Sequence, residues 1–176
     1  MCIRDRFDPE EVILMPLYPQ YSAATSGSSI KEWKDVCKKN HYKVKTSTIC
    51  CYPTDQNFVK AHTKEILKKI KDLKSFKLIF SAHGLPEKNI KKGDPYQWQV
   101  EQSVDKIVKS LDIENLDWIL SYQSRVGPLK WIGPSTENII EENSKLGKHI
   151  VLVPIAFVSE HSETLVELDI EYKELA

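Results

Sequence analysis

The sequence places a histidine close behind one apolar run and a group of acids directly behind another. His83 stands in the motif "FSAHGLP", and Glu160, His161 and Glu163 stand in "SEHSE", after the apolar stretch 150–158. A neutral imidazole can accept a proton or bind a transition metal, and carboxylates can do the same. These side chains therefore indicate proton transfer, metal binding or both.

The acids continue along a segment with helical periodicity. Glu163, Glu167 and Glu171 are four residues apart, which puts them on one stripe of an α-helix. Like charges at this spacing repel each other by roughly 0.2–0.5 kcal/mol per pair. One interpretation is a solvated acidic ridge. The alternative is a row of carboxylates that leads cations inward to the strand end, where the helix dipole also favours Glu160 and Glu163.

Aromatic side chains stand in the same loops. Trp131 lies in the Gly- and Pro-rich stretch "VGPLKWIGP", where it has no helix or strand face to fill. It could anchor its loop or offer a flat surface to a flat ligand. Tyr96 could likewise contact a flat ligand, or it could pack at the N-terminus of its helix. His83 likewise could bond to a loop carbonyl, so residue type alone leaves these alternatives open.

Alternating apolar runs and helical patterns position these loops. A short apolar run covers residues 12–17, strands are predicted at 44–51, 78–81, 118–122 and 150–158, and helices at 29–39, 54–73, 95–111, 134–146 and 160–175. This alternation is typical of parallel βα units with helices on both faces. The predicted class is therefore α/β, doubly wound around parallel sheets. Because ligands bind beyond the carboxyl ends of such strands, His83, Trp131 and Glu163 should lie at one edge.

Composition excludes several functions. The 25 basic and 25 acidic side chains give a net charge of zero, which argues against nucleic-acid binding. No apolar run approaches the roughly 18 residues that a bilayer-spanning helix needs, and the first residues do not resemble a signal peptide. The expected location is the cytoplasm, where Cys2, Cys37, Cys50 and Cys51 should be reduced. Phosphate-binding loops and nucleophile elbows are not present as motifs.

Several long motifs together resemble those of the ferrochelatases, which insert ferrous iron into porphyrin to form haem. The motifs are "PLYPQYSAATSGSS", "FSAHGLP" followed by "GDPY", "YQSRVGPLKWIGP" and "PIAFVSEHSETLVELDIEY". The resemblance covers roughly residues 12–176 and implies a two-domain chelatase fold. Residues 1–43 would then be the C-terminal remnant of the first α/β domain, and residues 44–176 the second domain without its closing segment. Both ends are expected to be truncated, and residues 1–6 are not expected to be native.

The resemblance also implies roles for individual residues. His83 is similar to the family histidine that binds the metal and accepts protons, and Glu163 to its partner carboxylate across the cleft. Glu160 and His161 are implied as close support for that pair.

Further residues are implied on both sides of the pair. Glu167 and Glu171 match an acidic row that relays metal or protons. The implied porphyrin contacts are aromatic, namely Trp131, Tyr122, Tyr96 and Phe157.

The form "RVGPLKW" resembles the proteobacterial and mitochondrial type, so the implied substrates are protoporphyrin IX and ferrous iron. No iron–sulfur cluster is expected, peripheral association with the inner membrane is left open, and the residues do not indicate an oligomeric state. Because most of the first domain is expected to be absent, the fragment alone is expected to be inactive or unstable. Three rival functions remain. They are a metal- or tetrapyrrole-binding module without turnover, a sister chelatase for another metal such as cobalt or for coproporphyrin, and a hydrolase with His83 as its base.

Overall fold

The computed structural model describes residues 8–160 and 162–176. Within these ranges the strands form two parallel sheets. One sheet pairs β1 (Glu11–Leu14) with β2 (Lys45–Thr48). In the other, β3 (Phe76–His83) lies between β4 (Trp118–Gln123) and β5 (His149–Pro154). The hypotheses about residues 1–6 and about His161 lie outside the described residues.

The helices connect and cover these strands. They are α1 (Ser28–Lys39), α2 (Gln56–Ile70), α3 (Glu87–Lys91), α4 (Tyr96–Leu111), α5 (Thr136–Lys145) and α6 (Tyr172–Leu175). A π-helical segment, Ala23–Gly27, leads into α1, and a longer π-helix, Glu163–Glu171, leads into α6. Across the described ranges, no helix has both the length and the apolarity that crossing a bilayer requires.

The central strand β3 builds a core on each of its faces. Leu78 and Phe80 are fully buried in a cluster with residues of α2 and α4. Ile79, which points the other way, is buried in a second cluster with residues of α5 and the C-terminal helix. Alternate strand residues face opposite sides of a sheet, so one apolar run stabilises two layers of helices. The prediction of a doubly wound α/β class is confirmed.

Several element boundaries differ from the sequence prediction, and three of them bear on the site. The last strand ends at Pro154 and not at residue 158, although Ile155 N still donates to Ser81 O on β3 at 2.9 Å. The helix predicted from Pro134 begins at Thr136, because the Pro134 carbonyl instead accepts a hydrogen bond of 2.8 Å from Tyr122 N on β4. The segment predicted as an α-helix from residue 160 is mostly the π-helix Glu163–Glu171.

The two sheets meet at a buried glutamine. Gln20, which follows β1, is 1% exposed and donates from Nε2 to Ser103 Oγ at 2.9 Å and to Ile155 O at 3.2 Å. The predicted domain boundary at residues 43/44 would separate the paired strands β1 and β2, so the first sheet extends at least to Thr48. The division into two domains itself stays a prediction.

Candidate active site

A histidine–carboxylate pair lies at the carboxyl end of the central strand. His83 is the last residue of β3, and its Nδ1 lies 2.7 Å from Oε2 of Glu163, the first residue of the C-terminal π-helix. Their side chains are 40% and 30% exposed, respectively. The pair is therefore fixed by mutual contact and can still be reached from solvent. The carboxyl ends of the strands, where the pair lies, are where ligands bind in open α/β sheets.

The contact changes the proton affinity of His83. Its hydrogen bond to Glu163 raises the pKa of His83 above the ordinary value of 6.5, against the opposing effect of burial. The negative charges of Glu163 and Glu167 raise this pKa further. Because Glu163 engages Nδ1, Nε2 is the nitrogen left to accept a proton or to bind a metal. The carboxylate thus makes His83 a stronger base than an isolated imidazole.

The backbone around His83 is held from two directions. Tyr96 donates from its hydroxyl to His83 O at 2.9 Å, and Gly84 N donates to Gln123 O at 2.9 Å. A β-carbon added to Gly84 would lie 2.9 Å from Gln123 O and 3.3 Å from Cε3 of Trp131. Only glycine allows this close approach without displacement of a neighbour. The loop after β3 is therefore fixed against the loop after β4.

A second carboxylate is connected to the pair through Ser124. Ser124 donates from Oγ to Glu167 Oε2 at 2.6 Å and from its backbone N–H to Glu167 Oε1 at 2.9 Å. The same Oγ lies 3.5 Å from Glu163 Oε2. Gln123 adds a donor from Nε2 to Glu167 Oε2 at 3.1 Å. These contacts link Glu167 to Glu163 through Ser124.

Ser124 occupies the left-handed region, with φ of 57°. This conformation is uncommon for a residue with a side chain and is often found at functional sites. Sequence reasoning missed both Ser124 and Gln123. The available signal was their position directly after β4, in the motif "YQSRVG".

The pair borders a cavity of about 440 Å³. The segment after β1 forms one wall, and the loops after β3 and β5 form the other. Its lining includes His83, Glu163, Tyr96, Phe157, Leu17 and Tyr18. The volume lies within the range of about 300–1,000 Å³ that is typical of small-molecule sites.

The predicted acidic residues divide into two groups. Glu167 lies in the network described above, whereas Glu171 is exposed. Glu160 is also exposed and lines a separate groove of about 700 Å³ between α2, β5 and the C-terminal helix. The structure therefore brings Glu167 to the pair and leaves Glu160 and Glu171 at the surface. The side chain of His161 is outside the described residues.

The predicted aromatic residues also divide. Tyr96 and Phe157 line the cavity beside the pair. Tyr122 is 1% exposed and belongs to the apolar core, where its strand alternation places it next to α4. Trp131 donates from Nε1 to Val126 O at 3.1 Å, which agrees with the loop-anchoring alternative. The geometry thus favours Tyr96 and Phe157 over Tyr122 and Trp131 as contacts for a flat ligand.

The pair can provide part of a coordination shell. In the part of the chain that the structure describes, no group of three or more His, Cys, Asp or Glu side chains could hold a metal ion. His83 and Glu163 nevertheless offer one nitrogen and one oxygen ligand, a combination that suits Fe²⁺. Two protein ligands leave positions for water or a second ligand.

A doubly wound α/β fold with such a pair beside a cavity defines a class of protein that can bind a metal and move protons. Comparison with known proteins identifies the member of this class. The family model described as Ferrochelatase matches residues 4–176, and the chain belongs to the ferrochelatase family.

Curated relatives have the same family name. The chain is 89% identical over 170 residues to the ferrochelatase of Pelagibacter ubique (strain HTCC1062), an alignment that covers 97% of this chain and 49% of the relative. It is 52% identical over 176 residues to the ferrochelatase of Rickettsia typhi (strain ATCC VR-144 / Wilmington), which covers 100% of this chain and 50% of the relative. It is 54% identical over 170 residues to that of Rickettsia bellii (strain OSU 85-389), with coverages of 97% and 47%. The chain thus spans about half the length of these relatives.

Proposed function

We propose that a longer protein carrying this chain is a protoporphyrin ferrochelatase, a lyase that inserts ferrous iron into protoporphyrin IX in the last step of haem formation. The observation that carries this proposal is the distance of 2.7 Å between His83 Nδ1 and Glu163 Oε2, beside a cavity with aromatic walls. Membership of the family and the names of the relatives support it. Iron is the substrate metal, and no cluster is assigned to the cysteines.

The chemistry of metallation matches the pair. Insertion of Fe²⁺ removes two pyrrole protons from the porphyrin and strips water from the metal. His83 accepts a pyrrole proton at Nε2, and Glu163 stabilises the imidazolium that forms. Before that transfer, the imidazole, through the same Nε2, and the carboxylate replace water on the incoming ion, which then leaves Nε2 for the porphyrin nitrogens. Glu167 and Glu171 are proposed as the inner and outer members of an acidic row that leads the metal ion to the pair.

The cavity supplies the surface for the macrocycle. The rings of Tyr18, Tyr96 and Phe157 present apolar faces that can hold a flat ligand in a distorted pose, as a site complementary to the transition state requires. Trp131 and Tyr122 are secondary candidates, because one anchors a loop and the other lies in the core.

The remaining partners follow from the proposed activity. The rest of the porphyrin site is proposed to come from the part of the longer protein outside this chain. The proposed location is the cytoplasm, with peripheral association to the inner membrane as the alternative.

Anaerobic incubation of the longer protein with protoporphyrin IX and Fe²⁺ tests the function. The expected result is the replacement of the porphyrin absorption spectrum by that of haem, at a rate proportional to enzyme concentration. Porphyrin binding without metallation would instead support a binding module. Preferential insertion of Co²⁺, or preferential use of coproporphyrin, in competition experiments would indicate a sister chelatase.

A further inference from the structure

The hydrogen-bond network of the site continues past Glu167 to a buried tyrosine. The Tyr172 hydroxyl lies 2.9 Å from Oε1 of Glu167 and 2.9 Å from Oε1 of Glu137, the second residue of α5. Tyr172 is 4% exposed, and its ring belongs to the apolar cluster on that face of the sheet. Glu137 is only partly buried, and its other oxygen accepts from Ser135 Oγ. The network therefore runs from the cavity, through the core, to a carboxylate near the surface.

The π-helix determines which residue continues the network. Tyr172 N–H donates to Glu167 O, the five-residue backbone hydrogen bond of a π-helix. Tyr172 thereby lies beside Glu167 and faces the core, whereas Glu171, one residue earlier, is exposed. The route from Glu167 accordingly turns inward to Tyr172 and does not follow the acidic row along the helix.

The Tyr172 hydroxyl can adopt two hydrogen-bond patterns at this position. A phenol has one proton, so it can donate to only one of two carboxylates at a time. In one pattern Tyr172 donates to Glu167 and accepts from a protonated Glu137. In the other it accepts from a protonated Glu167 and donates to Glu137. The two patterns use the same atoms and differ by the transfer of one proton from one carboxylate to the other.

We propose that Tyr172 and Glu137 form the outlet of a proton path that begins at His83. The proposal rests on the proposed function, because metallation is the reaction that loads protons onto His83.

The inner half of the path uses the groups at the cavity. A pyrrole nitrogen gives its proton to His83 Nε2 as the nitrogen–iron bond forms, and the Nδ1 proton moves to Glu163 across 2.7 Å. Glu163 passes a proton to Ser124 Oγ, whose own proton moves to Glu167. The step between Glu163 and Ser124, at 3.5 Å, is the longest one, and the step from Ser124 to Glu167 is 2.6 Å.

The outer half crosses the core. Ser124 loads the proton on Glu167 Oε2, whereas Tyr172 contacts Oε1, so the protonated carboxyl group first turns to bring its O–H to Tyr172. Glu167 then gives its proton to the Tyr172 oxygen, the Tyr172 proton moves to Glu137, and Glu137 releases it to water. Each group gains one proton and loses one, and no group is oxidised or reduced. The hydroxyl groups then rotate back. His83 is left with its proton on Nε2, so its ring must turn over, or exchange this proton with water, before the path carries the second pyrrole proton.

Two substitutions in the longer protein test the outlet. Tyr172→Phe removes the bridging hydroxyl and keeps the ring in the core, and Glu137→Gln removes the final acceptor. Each is expected to lower kcat for Fe²⁺ insertion roughly tenfold, less than the loss of a group that transfers protons directly to substrate. The KM values for iron and porphyrin should not change, and the solvent deuterium isotope effect on kcat should rise, because proton release becomes slower. The double variant should be no worse than Tyr172→Phe alone.

Glu142→Gln is the matched control, because Glu142 is an exposed acid on the same helix as Glu137. It should retain wild-type kcat and isotope effect. Thermal unfolding shows whether the Tyr172→Phe protein is still folded. If it is not, the Glu137→Gln variant alone tests the outlet, because Glu137 is only partly buried.

Three results would overturn the outlet. The first is a Glu137→Gln variant with wild-type kcat and isotope effect. The second is a lower kcat and a larger isotope effect in Glu171→Gln but not in Glu137→Gln, which would place the outlet on the acidic row. Failure of the unsubstituted protein to metallate porphyrin would overturn the proposed function and the path with it. If the unsubstituted protein metallates porphyrin and Glu137→Gln has the same kcat and isotope effect, only the path is overturned.

Discussion

His83 Nδ1 and Glu163 Oε2 lie 2.7 Å apart, although 80 residues separate them in the sequence. The contact joins the end of the central strand to the beginning of a π-helix. Each partner is positioned by a different element, so the fold as a whole sets this distance. The proton affinity of the histidine and the position of the carboxylate consequently depend on each other.

The titration of His83 should reveal this dependence. The hydrogen bond to Glu163 raises its pKa above 6.5, so His83 should titrate above that value and Glu163→Gln should lower its pKa. The contact stabilises the fold fully below pH 6.5, and this contribution is lost as the pH rises through the raised pKa. NMR titration of the carbon-bound protons of the imidazole measures the pKa of His83 in the wild type and in Glu163→Gln. His62, whose pKa burial lowers, is an internal control that should not respond to Glu163→Gln. A His83 pKa at or below 6.5 would contradict the prediction.

Substitution of the two network carboxylates should affect turnover unequally. Glu163→Gln removes the partner in direct contact with His83 and is expected to reduce kcat by roughly 10²-fold or more. Glu167→Gln acts through Ser124 and should have a milder effect. Steady-state metallation by the longer protein gives both values. If Glu167→Gln proved the more damaging, the assignment of inner and outer positions would be wrong.

Gly84→Ala should destabilise the chain. The added carbon would approach Gln123 O to 2.9 Å and Trp131 Cε3 to 3.3 Å, contacts that require one loop to move. The expected loss in the free energy of unfolding is about 1–3 kcal/mol, as for other overpacked sites. Denaturant unfolding of this chain measures it. Gly133→Ala is the comparison, because its new carbon would have no described neighbour nearer than 3.9 Å, and equal losses in both variants would exclude the steric explanation.

Asp94 should contribute to the contact between the N-terminal segment and α4. Its Oδ2 accepts from Ser22 Oγ and from Ala23 N, each at 2.9 Å, and its Oδ1 accepts from Tyr96 N at 3.0 Å. Asp94→Ala should therefore lower the free energy of unfolding by about 1–2 kcal/mol. Asp105→Ala, which removes a 44% exposed carboxylate of α4 and its surface ion pair with Lys109, should cost less than about 0.5 kcal/mol. Calorimetry that found the two variants equally stable would refute this role.

Local patterns predicted the fold well because its strands are apolar runs and its helices have clear faces. The alternation along β3 divides its side chains between two cores, and the carboxyl-end rule brought His83 and Glu163 to one edge. Alternation would also have located Tyr122 correctly. It shares a face of β4 with Leu120, which packs against the same apolar cluster.

The remaining features depend on contacts that no local pattern encodes. An α-helix and a π-helix have similar composition, and the packing of Leu168 and Tyr172 accompanies the wider form here. Ser124 has its left-handed conformation together with hydrogen bonds to Glu167, a residue 43 positions away. Sequence periodicity predicted a straight acidic row, whereas the network turns from Glu167 to Tyr172 and Glu137.

One comparison decides whether His83 is the base and metal ligand of the site. Protoporphyrin binding and anaerobic Fe²⁺ insertion are measured side by side for the longer protein and its His83→Ala variant. We predict that the variant binds porphyrin with near wild-type affinity, because the aromatic walls remain, and forms no measurable haem. Haem formation at a near wild-type rate by the folded variant would contradict the role that we assign to His83.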